Sequence, residues 1–351
     1  MPSNRVSDET YLKTLRTLAA CGGNKTETSK ILGFRSKSTV FDHIRAAESR
    51  GLTAASVPFD PEAKDQIIEG LRAELSAARD ALRSASKPHF TVRQDNAGRS
   101  SKIRLVCIGD AHDAPAIPDK SRFEWMGRYI NETKPDIVVQ IGDFATLDSL
   151  STHTPNESFA GKSKPTFMAD MVSFNLALEA MQIEGTEKHC TLGNHERRLY
   201  LFEDRAPEAY GMMQCELQKI FERHKWTCSP YGQITYYGGV GFVHAAINKL
   251  GKTYGGKNAE GGAIANDSVH DLVIGHSHVE RRHRAPKIGG NNYVQIINVG
   301  CALPDGHIEE YALHAITGWS YGLADMVIQN GSVTDYHFVS MASMKEKYGK
   351  N

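Results

Sequence analysis

The hydrophobic residues of the first fifty positions recur every three or four residues, which is the spacing of an amphipathic helix. Glycines interrupt the pattern, so the stretch is predicted to form three short helices instead of one. The predicted helices end near Cys21, Leu32 and Gly51. Thr26 is the predicted N-cap of the second helix, and either Ser36 or Ser38 caps the third. Three helices with a glycine in the turn before the last one form a helix-turn-helix pattern.

A single amphipathic helix is predicted over 60–85, after the helix-turn-helix pattern of residues 1–52. Asp60 is its N-cap, Pro61 occupies the first turn, and apolar residues follow in alternating steps of three and four. These apolar residues are Ile68, Leu71, Leu75, Ala78 and Leu82. The pattern is typical of a connector helix packed on its own chain, or of a short coiled coil that would make a homodimer. Residues 86–101 are predicted to be a polar linker.

From Ile103 onward, short apolar runs typical of buried strands alternate with helical patterns, which predicts an α/β domain over 102–341. The strand-like runs are 103–108, 136–141, 189–192, 240–243, 272–274 and 293–299. A late hairpin is predicted around Asn330 and Gly331, because Asn-Gly suits a two-residue turn. Residues 342–351 are predicted to be a tail.

Polar clusters follow nearly all of these strand-like runs. The clusters are Gly109-Asp110-Ala111-His112, Gly142-Asp143, Gly193-Asn194-His195, His244 and Gly275-His276-Ser277-His278. In α/β architectures, ligands bind in the crevice beyond the carboxyl ends of the strands. We therefore expect residues from five distant parts of the chain to meet in one site.

The side chains of these clusters are oxygen and nitrogen ligands without a thiolate, a set that suits manganese, iron or zinc. The predicted ligands are Asp110, His112, Asp143, Asn194, His244, His276 and His278. Seven ligands exceed what one ion needs. Two ions about 3.5–4 Å apart that share a carboxylate would use all of them.

The same blocks, in the same order, resemble the calcineurin-like metallophosphoesterase superfamily. The blocks that carry the resemblance are Asp110-x-His112, Gly142-Asp143, Gly193-Asn194-His195-Glu196, His244 and Gly275-His276-Ser277-His278. The resemblance covers roughly 102–341 and implies a four-layer α/β/β/α sandwich of two mixed sheets. It also implies a metal-dependent hydrolase of phosphoric esters.

The resemblance further implies a role for each ligand. The residues that would hold one ion are Asp110, His112 and His278, and those that would hold the other are Asn194, His244 and His276. Asp143 would bridge both ions, and a hydroxide shared by them would attack phosphorus. His195 would act as general acid on the leaving oxygen, and Glu196 would orient His195 or a ligand. Manganese is the preferred ion, with iron, zinc or nickel as alternatives.

The substrate depends on where the chain departs from its relatives. Phosphoprotein phosphatases share the Gly-Asn-His-Glu block but carry Asp-Arg-Gly after the second block, where the arginine clamps a phosphate. Here Asp143 is followed by Phe144 and Ala145. Arg197 or Arg198 could substitute for the missing arginine, but a solvated position on the helix explains either residue equally well.

Cationic loops favour the nucleases and phosphodiesterases of the same superfamily. The predicted residues of the substrate rim are Arg197, Arg198, Lys252, Lys257, Arg281 and Arg282. Such cations suit a polyanionic backbone, although an ordinary solvated surface has the same composition. We therefore predict a two-metal phosphodiesterase or nuclease that acts on DNA or nucleotides. The alternatives are a phosphomonoesterase and, outside enzymes, a DNA-binding regulator with a ligand-sensing domain.

The N-terminal pattern resembles the small helix-turn-helix domains of bacterial and phage DNA-binding proteins. Residues 1–52 contain nine Lys/Arg against five Asp/Glu, whereas the whole chain is neutral, as a local DNA-binding surface requires. The predicted DNA-contacting residues are Arg35, Lys37, Ser38, Thr39, His43 and Arg45. A helical oligomerisation domain is the alternative. A helix-turn-helix domain joined to a phosphoesterase resembles phage or prophage gene products.

The overall composition excludes several further classes of protein. Hydrophobic content of 40%, charged content of 23% and zero net charge argue against a globally basic nucleic-acid coat. No apolar run approaches the ~18 residues that a membrane helix needs. The six cysteines are scattered without a C-x-x-C pair, so neither a disulfide framework nor a zinc knuckle is indicated. We predict a cytoplasmic protein with no membrane partner.

Overall fold

A computed structural model describes most of the chain. The described residues are 6–53, 73, 76–77, 102–152, 157–206, 208, 210–255, 261–289, 293–309, 312–313 and 315–349. The chain divides into two compact units, Met1–Ala81 and Leu82–Asn351, and each is described by itself. The helix predicted over 60–85 and the linker predicted over 86–101 lie, apart from three isolated positions, outside the described residues. No described helix has both the length and the apolar character needed to cross a bilayer.

The first unit contains three helices, α1 (Asp8–Ala20), α2 (Lys25–Ile31) and α3 (Lys37–Ser49). Ser36 caps α3, as one of the two predicted alternatives. The predicted cap of α2 is wrong, because Asn24 and not Thr26 precedes that helix. The Asn24 side-chain oxygen accepts hydrogen bonds from the backbone N–H groups of Thr26 and Glu27 at 3.1 and 3.2 Å.

His43, one of the predicted DNA-contacting residues, is half-buried within the first unit. Its ring packs edge-on against Tyr11 and Phe34, with ring centroids 5.1 and 5.0 Å apart, and its Nδ1 lies 2.9 Å from Thr14 Oγ1. The cause is the helical period, which puts position 43 on the same face of α3 as the buried Val40. The other predicted contact residues are exposed or half-buried on or just before α3, and they are Arg35, Lys37, Ser38, Thr39 and Arg45.

The second unit is built on eleven described strands. They are β1 (Ile103–Ile108), β2 (Ile137–Gln140), β3 (Glu187–Thr191), β4 (Thr227–Ser229), β5 (Thr235–Tyr237), β6 (Val240–Val243), β7 (Leu272–Ile274), β8 (Glu280–Pro286), β9 (Tyr293–Val299), β10 (Gly322–Gln329) and β11 (Ser332–Ser340). One sheet has the order β11-β10-β1-β2-β3-β4, and the other has the order β5-β6-β7-β9-β8. Strands β1 to β4 run parallel, as do β6, β7 and β9.

Helices cover the outer faces of both sheets. They are α4 (Ser121–Thr133), α5 (Phe159–Lys162), α6 (Phe167–Met181), α7 (Asn194–Arg205), α8 (Met212–Arg223), α9 (Gly262–Asp267) and α10 (Met341–Tyr348), with a 3-10 turn at Asp148–Leu150. Alternate residues of β1 face opposite layers. Leu105 and Cys107 pack between the two sheets, whereas Val106 and Ile108 pack under the helices. The predicted four-layer α/β/β/α sandwich is therefore confirmed.

The strand-like runs found in the sequence all contain a strand, and the predicted Asn-Gly hairpin joins β10 to β11. Asn330 and Gly331 have φ values of 56° and 80°, as a two-residue turn of this kind requires. The short strands β4 and β5 and the charged edge strand β8 lie outside the predicted strand-like runs.

The predicted tail is wrong for most of its length, because α10 occupies it. Met344 and Tyr348 are buried against the helix layer, together with Met341. Arg128 of α4 donates a 2.9 Å hydrogen bond to the Tyr348 carbonyl oxygen. The C-terminal helix is therefore part of the core of the second unit.

Gly127 provides a test of the helix layer. A Cβ atom at this position of α4 would lie 1.7 Å from the carbonyl oxygen of Met181, at the end of α6. We expect Gly127→Ala to lower the free energy of unfolding by about 3 kcal/mol or more, measured by urea denaturation. Gly262→Ala is the matched control, because nothing lies within 4 Å of a Cβ there and the helix gains a better helix former. Equal stability of the two variants would contradict this packing.

Candidate metal centre

The polar clusters that follow the strands meet at one edge of the two sheets. Asp110 and Asp143 follow β1 and β2, and Asn194 begins α7 just after β3. From the second sheet, His244 directly follows β6, while His276 and His278 follow β7. Groups of ligand atoms from these residues lie within 4.8 Å of one another. The structure thus brings the predicted ligands together, and five of the seven are buried.

One group contains Asp110, His112 and His278. The Nε2 atoms of the two histidines are 3.0 Å apart, and His278 Nε2 lies 3.1 Å from Asp110 Oδ2. This group is the predicted ligand set of the first ion. Its donor atoms converge on one point from β1 and β7, the two sides of the sandwich.

A second group surrounds Asp143. The His244 Nε2 atom lies 3.3 Å from Asp143 Oδ2 and 3.0 Å from Asn194 Oδ1. A ring nitrogen of His276 lies within 4.8 Å of the ligand atoms of Asp143 and His244. Asp143 Oδ2 is 3.8 Å from His112 Nε2, so this carboxylate lies between the two groups. A carboxylate shared by two metal ions would have to occupy this position.

The backbone at the ligands is held in an unfavourable conformation. Four of them have positive φ values, His112 at 44°, Asp143 at 49°, His276 at 71° and His278 at 60°. Side chains other than glycine rarely adopt this region, and such strain clusters at functional sites. The surrounding packing must therefore impose these conformations.

The glycines before two of the ligands are required by close approach. A Cβ atom at Gly193 would lie 2.0 Å from Asp143 Oδ1, and one at Gly275 would lie 2.3 Å from Asp110 Oδ1. Neither carboxylate can move away from such a Cβ atom without leaving the metal centre. The Gly-Asn-His and Gly-His-Ser-His motifs are thus explained by the space between the loops.

The donor set fits divalent metal ions. The Ile141 carbonyl oxygen lies 3.0 Å from His244 Nδ1, so Nδ1 must be the donor in the neutral ring. The lone pair of Nε2 then points at the oxygens of Asn194 and Asp143. In addition, Asp110 Oδ1 is buried with no hydrogen-bond partner among the described residues. Converging acceptor atoms of this kind are stabilised by a cation.

The charges in the centre are strongly coupled. Burial lowers the pKa of His244, but Asp143 and Asp110 outweigh it and raise the pKa to about 9. Burial would raise the pKa of Asp143, but His244, His195 and His112 hold it well below its usual range. Without a metal, the positive charge that Asp143 needs comes from a proton on His244. A metal ion at this position would compete with that proton.

His195 is held beside the ligands by its backbone and its ring. Its N–H donates to Asp143 Oδ1 at 2.8 Å, and its Nδ1 lies 2.7 Å from the Thr146 carbonyl oxygen. Because a carbonyl oxygen only accepts, Nδ1 carries the proton in the neutral ring. The Nε2 atom lies 3.8 Å from Asp143 Oδ2. Burial lowers the pKa of His195 to about 4.

Glu196 binds the loop that carries Asp143. Its carboxylate accepts hydrogen bonds from the N–H groups of Asp143, Ala145 and Gly193 at 3.0, 3.0 and 2.8 Å. Burial and the nearby Asp143 raise the pKa of Glu196 to about 7. Of the two predicted roles, the described hydrogen bonds of Glu196 fit the orientation of a ligand better than the orientation of His195.

The predicted rim residues behave differently from one another. Arg198 turns toward His195, whereas the exposed Arg197 lies over the ring of Tyr231, 5.1 Å from its centroid. Lys252 and Arg281 are exposed, and Lys257 lies outside the described residues. Arg282 is also exposed, and its guanidinium donates to the Gln295 side-chain oxygen and the Val333 carbonyl oxygen.

Three further residues at the centre were not found by the sequence analysis. Glu309 Oε1 lies 3.9 Å from His112 Nδ1, and burial together with Asp148 raises the pKa of Glu309 to about 7. The Trp319 ring packs edge-on against His278 at 4.5 Å. Asp113 accepts a hydrogen bond from Ser173 at 2.7 Å and pairs with Lys120. Of these residues, only Asp113 had a local signal, since it directly follows His112.

Comparisons with known proteins bear on the family of this chain. Yfce, a phosphoesterase from E. coli, has 15% identity and a TM-score of 0.31, over 67% of this chain and 98% of that one. TT1561 of Thermus thermophilus has 8% identity and a TM-score of 0.28, over 69% and 100%. No curated protein matches the sequence. Residues 103–296, more than half of the chain, match the family model for calcineurin-like phosphoesterases. The chain therefore belongs to the calcineurin-like phosphoesterase family and is a metal-dependent hydrolase of phosphoric esters.

Proposed function

We propose that this phosphoesterase uses two divalent metal ions to cleave phosphodiesters in DNA or nucleotides. The uncharged residues after Asp143 support the choice of a diester. They are Phe144, Ala145 and Thr146, so these positions offer no cation to a phosphate. A doubly charged monoester would lack the arginine that phosphoprotein phosphatases have after this aspartate.

The proposed ligands come from both groups described above. One ion would be held by Asp110, His112 and His278. The other would be held by Asn194, His244 and His276, with Asp143 between the two ions. When bound, the ions would supply positive charge for the phosphoryl oxygens and a more acidic water. Manganese suits this set of oxygen and nitrogen ligands without a thiolate.

His195 is the proposed general acid. Its Nδ1–H donates a hydrogen bond to the Thr146 carbonyl oxygen. Nε2 is therefore the ring nitrogen that can reach a leaving oxygen. Burial lowers the pKa of His195 to about 4, so the doubly protonated ring gives up its proton readily. Asp143 counteracts this shift and favours the protonated form. Through its three hydrogen bonds to backbone N–H groups, Glu196 fixes the position of the Asp143 loop relative to His195.

The first unit is proposed to bind DNA through α3. Arg35 and Lys37 are exposed at the start of this helix, and Arg45 is exposed two turns later. Cations at these positions would contact phosphates, while Ser38 and Thr39 lie at the end of the helix that enters a groove in helix-turn-helix proteins. Such a unit would bring the esterase to its polymeric substrate.

Metal binding tests the proposed role of Asp143. After chelation and dialysis, we expect the wild type to bind two Mn²⁺ per chain and Asp143→Asn to lose at least one with an affinity loss of about 100-fold, measured by calorimetry. Asp136→Asn is the control, because that carboxylate is exposed away from the centre. Two tight ions in Asp143→Asn would exclude a shared carboxylate.

Ester preference tests the proposed substrate class. We expect kcat/KM for bis(4-nitrophenyl) phosphate to exceed that for 4-nitrophenyl phosphate, and the enzyme to cleave single- or double-stranded DNA. His195→Gln should lower kcat by about 100-fold or more, with a larger loss on DNA, whose leaving oxygen needs a proton more than nitrophenolate does. His337→Gln, an exposed histidine, is the control. Hydrolysis of the monoester alone would establish a phosphomonoesterase instead.

Salt dependence tests the DNA-binding proposal. The double variant Arg35→Ala/Lys37→Ala should weaken DNA binding by the full chain and reduce the slope of log K against log salt by roughly two. Lys13→Ala/Arg16→Ala removes the same charge from exposed positions of α1 and serves as the control. Fluorescence anisotropy gives both values. Equal losses in the two double variants, or binding that ignores salt, would favour an oligomerisation domain.

A further inference from the structure

Arg198 occupies an unusual position for a residue in the first turns of a helix. Its side chain is 14% exposed and turns back toward the metal centre. The NH1 group donates to the Thr146 carbonyl oxygen at 2.7 Å, and NH2 lies 3.3 Å from His195 Nε2. The same carbonyl oxygen accepts from His195 Nδ1. One backbone atom thus fixes both side chains.

The contact between Arg198 and His195 has a defined direction. A guanidinium only donates hydrogen bonds, and Nδ1 of His195 already carries the proton of the neutral ring. In the neutral ring, NH2 therefore donates to the lone pair of Nε2. Protonation of Nε2, which general-acid catalysis requires, would release NH2 for another acceptor. Any substrate oxygen that approaches Nε2 must also meet the guanidinium, because the two nitrogens are 3.3 Å apart.

The neighbouring Arg197 provides a natural comparison. It is exposed and lies over the ring of Tyr231, 5.1 Å from its centroid. Successive residues of a helix point in directions about 100° apart, so the two arginines leave the helix on different sides. Of the two, Arg198 is the one that contacts His195.

Asp148 limits the positive charge around Arg198. Its Oδ1 lies 4.0 Å from NH1. A guanidinium paired with one carboxylate suits a phosphoryl group with one negative charge. At neutral pH a diester carries one such charge, while a monoester carries nearly two.

We infer that Arg198 binds a non-bridging phosphoryl oxygen of the substrate beside His195, and that Asp148 restricts this position to phosphoryl groups with a single negative charge. The inference rests on the proposed function and deepens it. It makes Arg198 a substrate-binding residue and Asp148 a determinant of specificity.

The test compares Arg198→Ala and Arg198→Lys with the control Arg205→Ala, an exposed arginine at the end of the same helix, in the metal-loaded full chain. With bis(4-nitrophenyl) phosphate, we expect Arg198→Ala to lower kcat/KM by about 100-fold, Arg198→Lys to recover part of the loss, and Arg205→Ala to stay within about twofold. Free guanidinium at millimolar concentration should partly restore only Arg198→Ala. Bound Mn²⁺ should be unchanged in all three variants, measured by elemental analysis. A loss of metal in parallel with activity, or equal activity of Arg198→Ala and Arg205→Ala, would overturn substrate binding by Arg198.

Asp148→Asn tests the specificity. We expect it to raise kcat/KM for 4-nitrophenyl phosphate relative to the diester by about tenfold, because it removes a negative charge 4.0 Å from Arg198. An unchanged ratio would overturn the role of Asp148. If the wild type prefers the monoester, the proposed function fails, yet the loss of monoester kcat/KM in Arg198→Ala still decides whether Arg198 binds the phosphoryl group.

Discussion

The metal centre depends on the hydrogen bonds that the buried Glu196 carboxylate accepts from Asp143, Ala145 and Gly193. They join the loop after β2 to the loop after β3, beyond the ends of these two paired strands. A buried carboxylate is costly unless such bonds compensate its lost hydration, and burial with Asp143 already raises the pKa of Glu196 to about 7. The spacing of Asp143 and His195 therefore depends on a residue that is neither a proposed ligand nor a proposed acid.

Strain and close packing act together around this carboxylate. Asp143 adopts a φ of 49°, and Gly193 approaches it so closely that a Cβ would lie 2.0 Å from its carboxylate oxygen. Left-handed backbone at a non-glycine residue costs on the order of 1 kcal/mol or more, so the surrounding contacts must exceed that cost. The strained conformation of the ligands therefore lowers the stability of the fold. Packing in the helix layer and in the core between the sheets compensates for this loss.

The sequence could predict the parts of the centre that have a local signal. Strand-like runs followed by Gly-Asp or Gly-Asn-His indicated where ligands would gather, because the ends of parallel strands must meet at one edge. The orientation of the Arg198 side chain toward His195 and the position of Glu309 near His112 depend on loops distant in sequence. No local sequence pattern could therefore predict them. The helical period places His43 on the same face of α3 as Val40, but its ring contacts with Tyr11 and Phe34 involve other segments of the chain. Similarly, the partner of Arg282 on β9 could not be identified before the register of β8 was known.

Each of the two ligand groups draws on both sheets. Asp110 and His112 follow a strand of the first sheet, and His278 follows a strand of the second; Asn194 and His244 are divided in the same way. An ion in either group would therefore act as a cross-link between the layers. By linkage, whatever binds the folded chain and not the unfolded one adds to its stability. Metal supply would then govern the cohesion of the sandwich as well as its catalysis, so that an enzyme deprived of metal would be both inactive and easier to degrade.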